Sequence, residues 1–274
     1  MSAGPSGFTG TYAFRHAWEL EQRRLELVQE VYDPGTIRHL EALGVGPGWR
    51  CLEVGGGAGS ITRWLCQRVG PSGTVVATDV ETDFLEQLDE PNLEVRRHDI
   101  TVDDLEDGAY DLVHSRMVLQ HLPEREQALE RMAAALAPGG VLIEEGLDCG
   151  SLVAGPAPDS AFFDDANRRL MDLMAKAGYD PDYGRTIPAA LLGAGLGDVG
   201  AEGRVAVGLH RTAAAEMWRL TVECFRDRLT GAGVLSDNEI DRLGAFHDDE
   251  TFSFLYPTMI AAWGLRMPSM NSGQ

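Results

Sequence analysis

Hydrophobic positions change their period along this chain, and each change marks a different kind of element. Between Ala17 and Gly44 they fall at helical spacings: Trp18, Leu20, Leu25, Leu27, Val28 and Val31, then Ile37, Leu40 and Leu43. Asp33-Pro34-Gly35 separates the two sets, and Pro and Gly disfavour helix interiors, so the pattern predicts two N-terminal helices before the first strand. From Arg50 onward, short apolar runs alternate with helical stretches, each bounded by Gly, Pro or Asp. Strands are predicted over 51–54, 74–78, 93–97, 110–114 and 141–144, and helices over 60–69, 82–88 and 124–136. Runs such as Val75-Val76-Ala77 are apolar on consecutive residues, which suits a parallel sheet buried on both faces. Right-handed crossovers between such strands give a doubly wound α/β sandwich.

Beyond Gly150 the pattern is less regular, with a helix predicted over 162–177, a strand over 201–207 and a long helix over 213–229. In the long helix Trp218, Val222, Phe225 and Leu229 share one face. That stripe packs a core or roofs a substrate cavity; a connection this long exceeds what the sheet itself needs. Residues 252–263 could supply a closing strand. The first ten residues and the tail from Met267 are small and polar, as frayed ends are.

Charge narrows the choice of partners. Lys and Arg total 23 against 43 Asp and Glu, a formal net charge of -20 that repels phosphate backbones and anionic lipid. Lys176 is the sole lysine and the arginines form no stripe, so neither nucleic acid nor a membrane surface is an expected partner. Cys51, Cys66, Cys149 and Cys224 lie far apart and read as reduced, buried thiols. The start, Met-Ser-Ala-Gly-Pro-Ser-Gly, lacks the basic and apolar parts of a signal peptide, and a cytoplasmic protein is expected. The oligomeric state stays open, a homodimer included.

The chemistry concentrates at Cys51-Leu52-Glu53-Val54-Gly55-Gly56-Gly57-Ala58-Gly59-Ser60-Ile61-Thr62, where a strand runs through glycines into a helix. A P-loop would need Gly-Lys-Ser/Thr at the helix start, and no lysine occurs before Lys176. The dinucleotide fingerprint fits Gly55 and Gly57 but meets Ser60 at its third glycine. Read as Glu53-x-Gly55-x-Gly57-x-Gly59, the stretch resembles motif I of class I S-adenosylmethionine-dependent methyltransferases. A carboxylate before the first glycine attracts a sulfonium and an ammonium, whereas it would repel a pyrophosphate. Asp79 follows Gly59 by twenty residues at the end of the next strand, where an acid can accept hydrogen bonds from both ribose hydroxyls. Its alternative is a cap for the helix over 82–88.

The resemblance continues through Arg97-His98-Asp99-Ile100, Tyr110-Asp111-Leu112-Val113-His114-Ser115-Arg116, Val118-Leu119-Gln120-His121-Leu122-Pro123 and Leu136-Ala137-Pro138-Gly139-Gly140-Val141-Leu142-Ile143, covering residues 48–146. It implies a Rossmann-like, mostly parallel seven-stranded sheet. Residues 1–45 would form an N-terminal helical lid, 46–150 the cofactor-binding core, and 151–274 the rest of the sheet with an inserted helical cap. It implies S-adenosylmethionine as cofactor and S-adenosylhomocysteine as product. Glu53, Gly55, Gly57 and Gly59 would cradle the cofactor, Asp79 its ribose, and Val80, Asp99 and Ile100 its adenine, with Ser115 and Arg116 at the outlet of the fourth strand. Tyr12-x-Phe14-x-x-x-Trp18-Glu19-x-Glu21 and Thr36 look like the family's lid segment, where Tyr12 or His16 would touch the cofactor.

Methyl transfer is an in-line displacement that rests on positioning and desolvation, so a base is optional. His121 is the candidate base for a hydroxyl acceptor, or else it pins the turn before Pro123; His16 and Glu145 are lesser candidates. His114 reads as a satisfied core histidine. The outlet His114-Ser115-Arg116 lacks the carboxylate cluster of metal-assisted enzymes, so a metal-independent reaction is expected. The reading is a methyltransferase (EC 2.1.1.-) acting on oxygen or nitrogen of a small molecule, a secondary metabolite. Two alternatives stand beside it: a cyclase or sensor that binds the same cofactor without transferring methyl, and an NAD-dependent oxidoreductase.

Overall fold

The computed structural model describes residues 18–268, so Tyr12 and His16 lie outside the described residues. The chain enters through α1 (Trp18–Ala42) and then alternates β1 (Arg50–Val54), α2 (Ser60–Val69), β2 (Thr74–Asp79), β3 (Leu93–Arg97), β4 (Tyr110–Arg116), α3 (Arg125–Ala135) and β5 (Leu136–Asp148). After the short β6 (Val153–Ala154) come α4 (Ser160–Lys176), α5 (Tyr183–Gly193), β7 (Gly197–Arg204) and β8 (Val207–Gly208). The chain ends with α6 (Ala213–Cys224), α7 (Arg226–Gly231), α8 (Asp237–Ala245), β9 (Phe254–Leu255) and β10 (Thr258–Leu265). Seven strands form one sheet in the order β3-β2-β1-β4-β5-β10-β7. The first five are parallel, and β10 runs antiparallel between β5 and β7. This is the Rossmann-like methyltransferase arrangement that the motif series implied.

Both faces of the sheet are covered, which is why its central strands read as unbroken apolar runs. Cys51, Val75, Leu112 and Ile143 pack against Leu40 of α1 and Ile61, Leu65 and Val69 of α2. Leu52, Val76, Val113 and Leu142 face Met132 of α3 and Ile187 and Leu191 of α5. Strand alternation then fixes the polar residues at the carboxyl ends: Glu53, His114 and Glu145 lie on the α1–α2 side, Ser115 and Glu144 on the α3–α5 side. Gly184 lets α5 approach the sheet, because a Cβ there would come within 2.7 Å of the backbone of Leu147 and Asp148.

A second layer closes over that edge. It consists of α4, α6, α7, α8 and the small sheet β6-β9-β8, packed on Leu27, Val28 and Tyr32 of α1. Phe163 is fully buried at its centre, with its ring 5.0–6.4 Å from those of Trp218, Phe246, Phe252 and Phe254. Among the described residues no helix is long and apolar enough to cross a membrane.

Four local expectations change. The N-terminal segment is one helix, not two, because Pro34 sits on its exposed side, where water can satisfy the carbonyl of Glu30. Arg116 also grips both sides of the proline, through Asp33 and Thr36. Residues 82–88 form only a single tight turn over Leu85–Gln87, which lays Leu85 and Leu88 against the glycine turn. The long helix divides at Phe225 into α6 and α7. The strand expected over 201–207 starts earlier, at Gly197, and ends at Arg204.

Truncating Phe163 to Ala is expected to cost about 3–5 kcal/mol of unfolding free energy, read from the denaturant midpoint, because it opens a cavity at the meeting point of four aromatic rings.

Candidate active site

Beyond Val54 the backbone turns through Gly55, Gly57 and Gly59, all left-handed with φ of 73°, 54° and 78°, before α2 begins. Only glycine adopts these angles without strain, but the three differ in what surrounds them. A Cβ on Gly55 would meet Val118 at 2.1 Å, and one on Gly59 would meet Leu88 at 2.7 Å. Gly57 faces open space, with nothing within 4 Å. Its missing side chain is the one that leaves room for a ligand.

That room belongs to a cleft that runs from the glycine turn to side chains of the second layer. Glu53, Gly55, Gly57, Arg116 and His121, all singled out from the sequence, line it. Asp79 stands behind the turn, one carboxylate oxygen accepting from Gly57 N at 2.9 Å and the other from Glu81 N at 3.1 Å. Burial pushes the Asp79 carboxyl upward, while the amides of Gly57, Glu81 and Val80 pull the other way. Gly59, Val80, Asp99 and Ile100 do not line the cleft. Asp99 closes a local turn, one oxygen accepting from both the amide and the hydroxyl of Thr101. Ser115 is fully buried and paired in register with Glu144 on the opposite face of the sheet, so it does not reach the cleft.

Glu53 is buried, one oxygen accepting from the Thr62 hydroxyl at 2.5 Å and the other 3.6 Å from His114 Nδ1. The far side of His114 faces Glu145, Nε2 to Oε2 at 3.4 Å. The Thr36 hydroxyl donates to Glu145 at 2.5 Å, and Arg116 donates to Thr36 and to Asp33, each at 2.9 Å. Three strands and α1 therefore meet in one buried polar cluster. Burial alone would lower the His114 pKa, but Glu145 and Glu53 outweigh it and hold the ring up at about 9. Burial likewise works to raise Glu145, but His114, Arg116 and Thr36 keep its carboxyl below the ordinary range. Behind them, burial pushes the Glu144 carboxyl well above its usual range.

At the other end of the cleft His121 packs on Tyr179, ring centres 4.9 Å apart. His121 leaves part of its ring exposed to solvent; withdrawal of the rest from water, with the nearby Arg24 cation, works to lower its pKa. Leu147 N donates to Gln120 Oε1 at 2.8 Å, which turns the Gln120 amide nitrogen toward the Tyr179 hydroxyl at 3.1 Å. Met171, Met174, Trp218, Phe225 and Tyr256 supply most of the apolar lining. Of the stripe on the long helix, Trp218 and Phe225 roof the cleft, whereas Val222 and Leu229 pack the core. Sequence reasoning missed Arg24, Thr62 and Tyr179; Gln120 stood in a quoted motif without a role.

Residues 52–142 match the family model described as a methyltransferase domain. Methyltransferase Str2 of Strobilurus tenacellus is 29% identical over 174 residues, covering 62% of this chain and 61% of that protein. The ubiquinone/menaquinone biosynthesis C-methyltransferase UbiE of Laribacter hongkongensis is 34% identical over 110 residues, covering 38% and 45%. The chain spans about half the length of the curated relatives it matches. In fold it is similar to a putative methyltransferase from Bacillus halodurans, with a TM-score of 0.55 and 14% identity over 85% of this chain and 98% of that one. The chain thus carries a class I S-adenosylmethionine-dependent methyltransferase domain. S-adenosylmethionine is the cofactor of that family, and S-adenosylhomocysteine its product.

Gly57→Ala is expected to weaken S-adenosylmethionine binding at least tenfold in calorimetry, since its Cβ enters the open space of the cleft. The left-handed angle adds about 1–2 kcal/mol of strain. Gly55→Ala, whose Cβ collides with Val118, is expected to lower the melting temperature much further.

Proposed function

We propose that this protein is a cytoplasmic methyltransferase that moves a methyl group from S-adenosylmethionine to an oxygen or nitrogen of a small apolar acceptor, a secondary metabolite. The observation that carries the reading is the continuity of the cleft. It joins the glycine turn and Glu53 to methionine and aromatic side chains of the second layer, with His121 also on its lining.

The cofactor supplies an electrophilic methyl group when bound. The residues of the chain that would hold it are Glu53 beside its cationic end, Asp79 at the ribose hydroxyls, and Val80, Asp99 and Ile100 around the adenine. Asp79 is suited to that work because the Gly57 and Glu81 amides fix both its oxygens at the turn while leaving each a free lone pair. Segment 1–45 acts as the lid, with α1 contributing Arg24, Leu25, Val28 and Gln29 to the cleft. His121 takes the proton of a hydroxyl acceptor as the new bond forms, and the apolar walls exclude the water that would compete. Met171, Met174 and Trp218 suit a flat, weakly polar acceptor, because thioethers adapt to irregular ring surfaces.

Titration calorimetry tests the cofactor half: Asp79→Ala is expected to weaken S-adenosylmethionine binding tenfold or more, the worth of charge-assisted hydrogen bonds. Equal affinity in both proteins would remove the ribose role. Incubation with methyl-labelled cofactor and a panel of phenols and amines tests the transfer. Rearranged substrate with intact cofactor would instead mark a cyclase.

The pH profile tests the base. With the His121 pKa lowered in this way, kcat/KM for a phenolic acceptor is expected to stay level through the region where an ordinary histidine titrates and to fall only at lower pH. His121→Ala is expected to lower kcat about a hundredfold, at little cost to cofactor affinity.

A further inference from the structure

His114 is buried at the carboxyl edge of the sheet, at 1% exposure, and lines no part of the cleft. A histidine needed only for packing would not sit between two buried carboxylates. In a low-dielectric interior, two buried carboxylates flanking one ring are best accommodated by a cation between them.

We propose that His114 is a positioning residue for the cofactor: standing between Glu53 and Glu145, it keeps both carboxylates charged and fixes that of Glu53 beside the glycine turn. The proposal rests on the reading of this cleft as an S-adenosylmethionine site. Glu53 is the member of the cluster that lines the cleft near Gly57, and its other oxygen is fixed by Thr62. Glu145 carries the arrangement to α1 through Thr36, and Arg116 joins Thr36 to Asp33. The groups that face His114 are therefore Glu53 from β1, Glu145 from β5 and Arg116 from its own strand, with Asp33 and Thr36 of α1 beyond and Glu144 behind. Take the imidazolium away, and Glu53 either takes up a proton or loses its fixed direction. In both cases the cradle loses negative charge where a sulfonium would lie.

The test compares binding of S-adenosylmethionine with that of S-adenosylhomocysteine, which lacks the sulfonium charge but shares the same adenosine, amino and carboxyl groups. Their affinity ratio therefore cancels general damage to the site. Calorimetry of wild type and His114→Gln between pH 6 and 8.5 is expected to show a level ratio in the wild type. In the variant, the preference for S-adenosylmethionine should drop about tenfold at pH 6 and recover as pH rises and that proton leaves. A folded His114→Gln protein whose ratio equals that of wild type at every pH overturns the proposal. If the variant does not fold, imidazole nitrogen NMR of the ligand-free wild type decides: His114 is expected to remain an imidazolium at pH 7.5, and a neutral ring there overturns it. Failure of the wild type to bind either compound would instead refute the methyltransferase reading itself, a result distinct from an unchanged ratio.

Discussion

Burying like charges at one sheet edge is the constraint around which this molecule is arranged. Parallel strands bring their carboxyl ends together, and here β1, β4 and β5 each end in ionisable residues: Glu53, His114 with Arg116, and Glu144 with Glu145. In a low-dielectric interior such a collection holds together only when each charge is paired or neutralised. The pleat sorts the residues. On one face His114 and Arg116 balance Glu53 and Glu145; on the other, burial beside Ser115 and Tyr183 raises the Glu144 carboxyl well above its usual range.

The same edge is where the two layers meet, and that is how the packing reaches the chemistry. The glycine turn and Asp79 belong to the sheet layer, whereas Met171, Met174, Trp218 and Phe225 belong to α4, α6 and the break between α6 and α7. Helix α1 touches both: Leu40 packs under the sheet, Leu27 and Tyr32 pack in the second layer, and Thr36 and Asp33 reach the charged cluster between them. Cofactor end and acceptor end are thus set by one aromatic core and one helix rather than by separate domains joined by a linker.

The sheet was legible because burial on both faces leaves a direct mark, the unbroken apolar run, and because the glycine turn needs residues nothing else can replace. The cluster was not. Thr36 lies 109 positions from Glu145, and Asp33 lies 83 from Arg116, distances at which no periodicity speaks. His114 read from the sequence as a satisfied core histidine; it is buried, but its Nδ1 has no hydrogen-bond partner among the described residues, and the two acids beside it left no mark in the sequence. Helix α5 escaped notice because Gly184 and Pro188 punctuate it; Gly184 is there for close approach to β5. The break expected at Pro34 shows the reverse error, a strong local signal overruled by Arg116, a contact made from the central strand β4.

That guanidinium has one further effect. A proline leaves a helix one hydrogen bond short, and unwinding that begins at a free end tends to run until it finds such a gap. In α1 the gap is bracketed by a clamp anchored in β4, so loosening that started at Trp18 would stop at Asp33. The final turns, with Leu40 beneath the sheet, would keep their register however far the first half had come away.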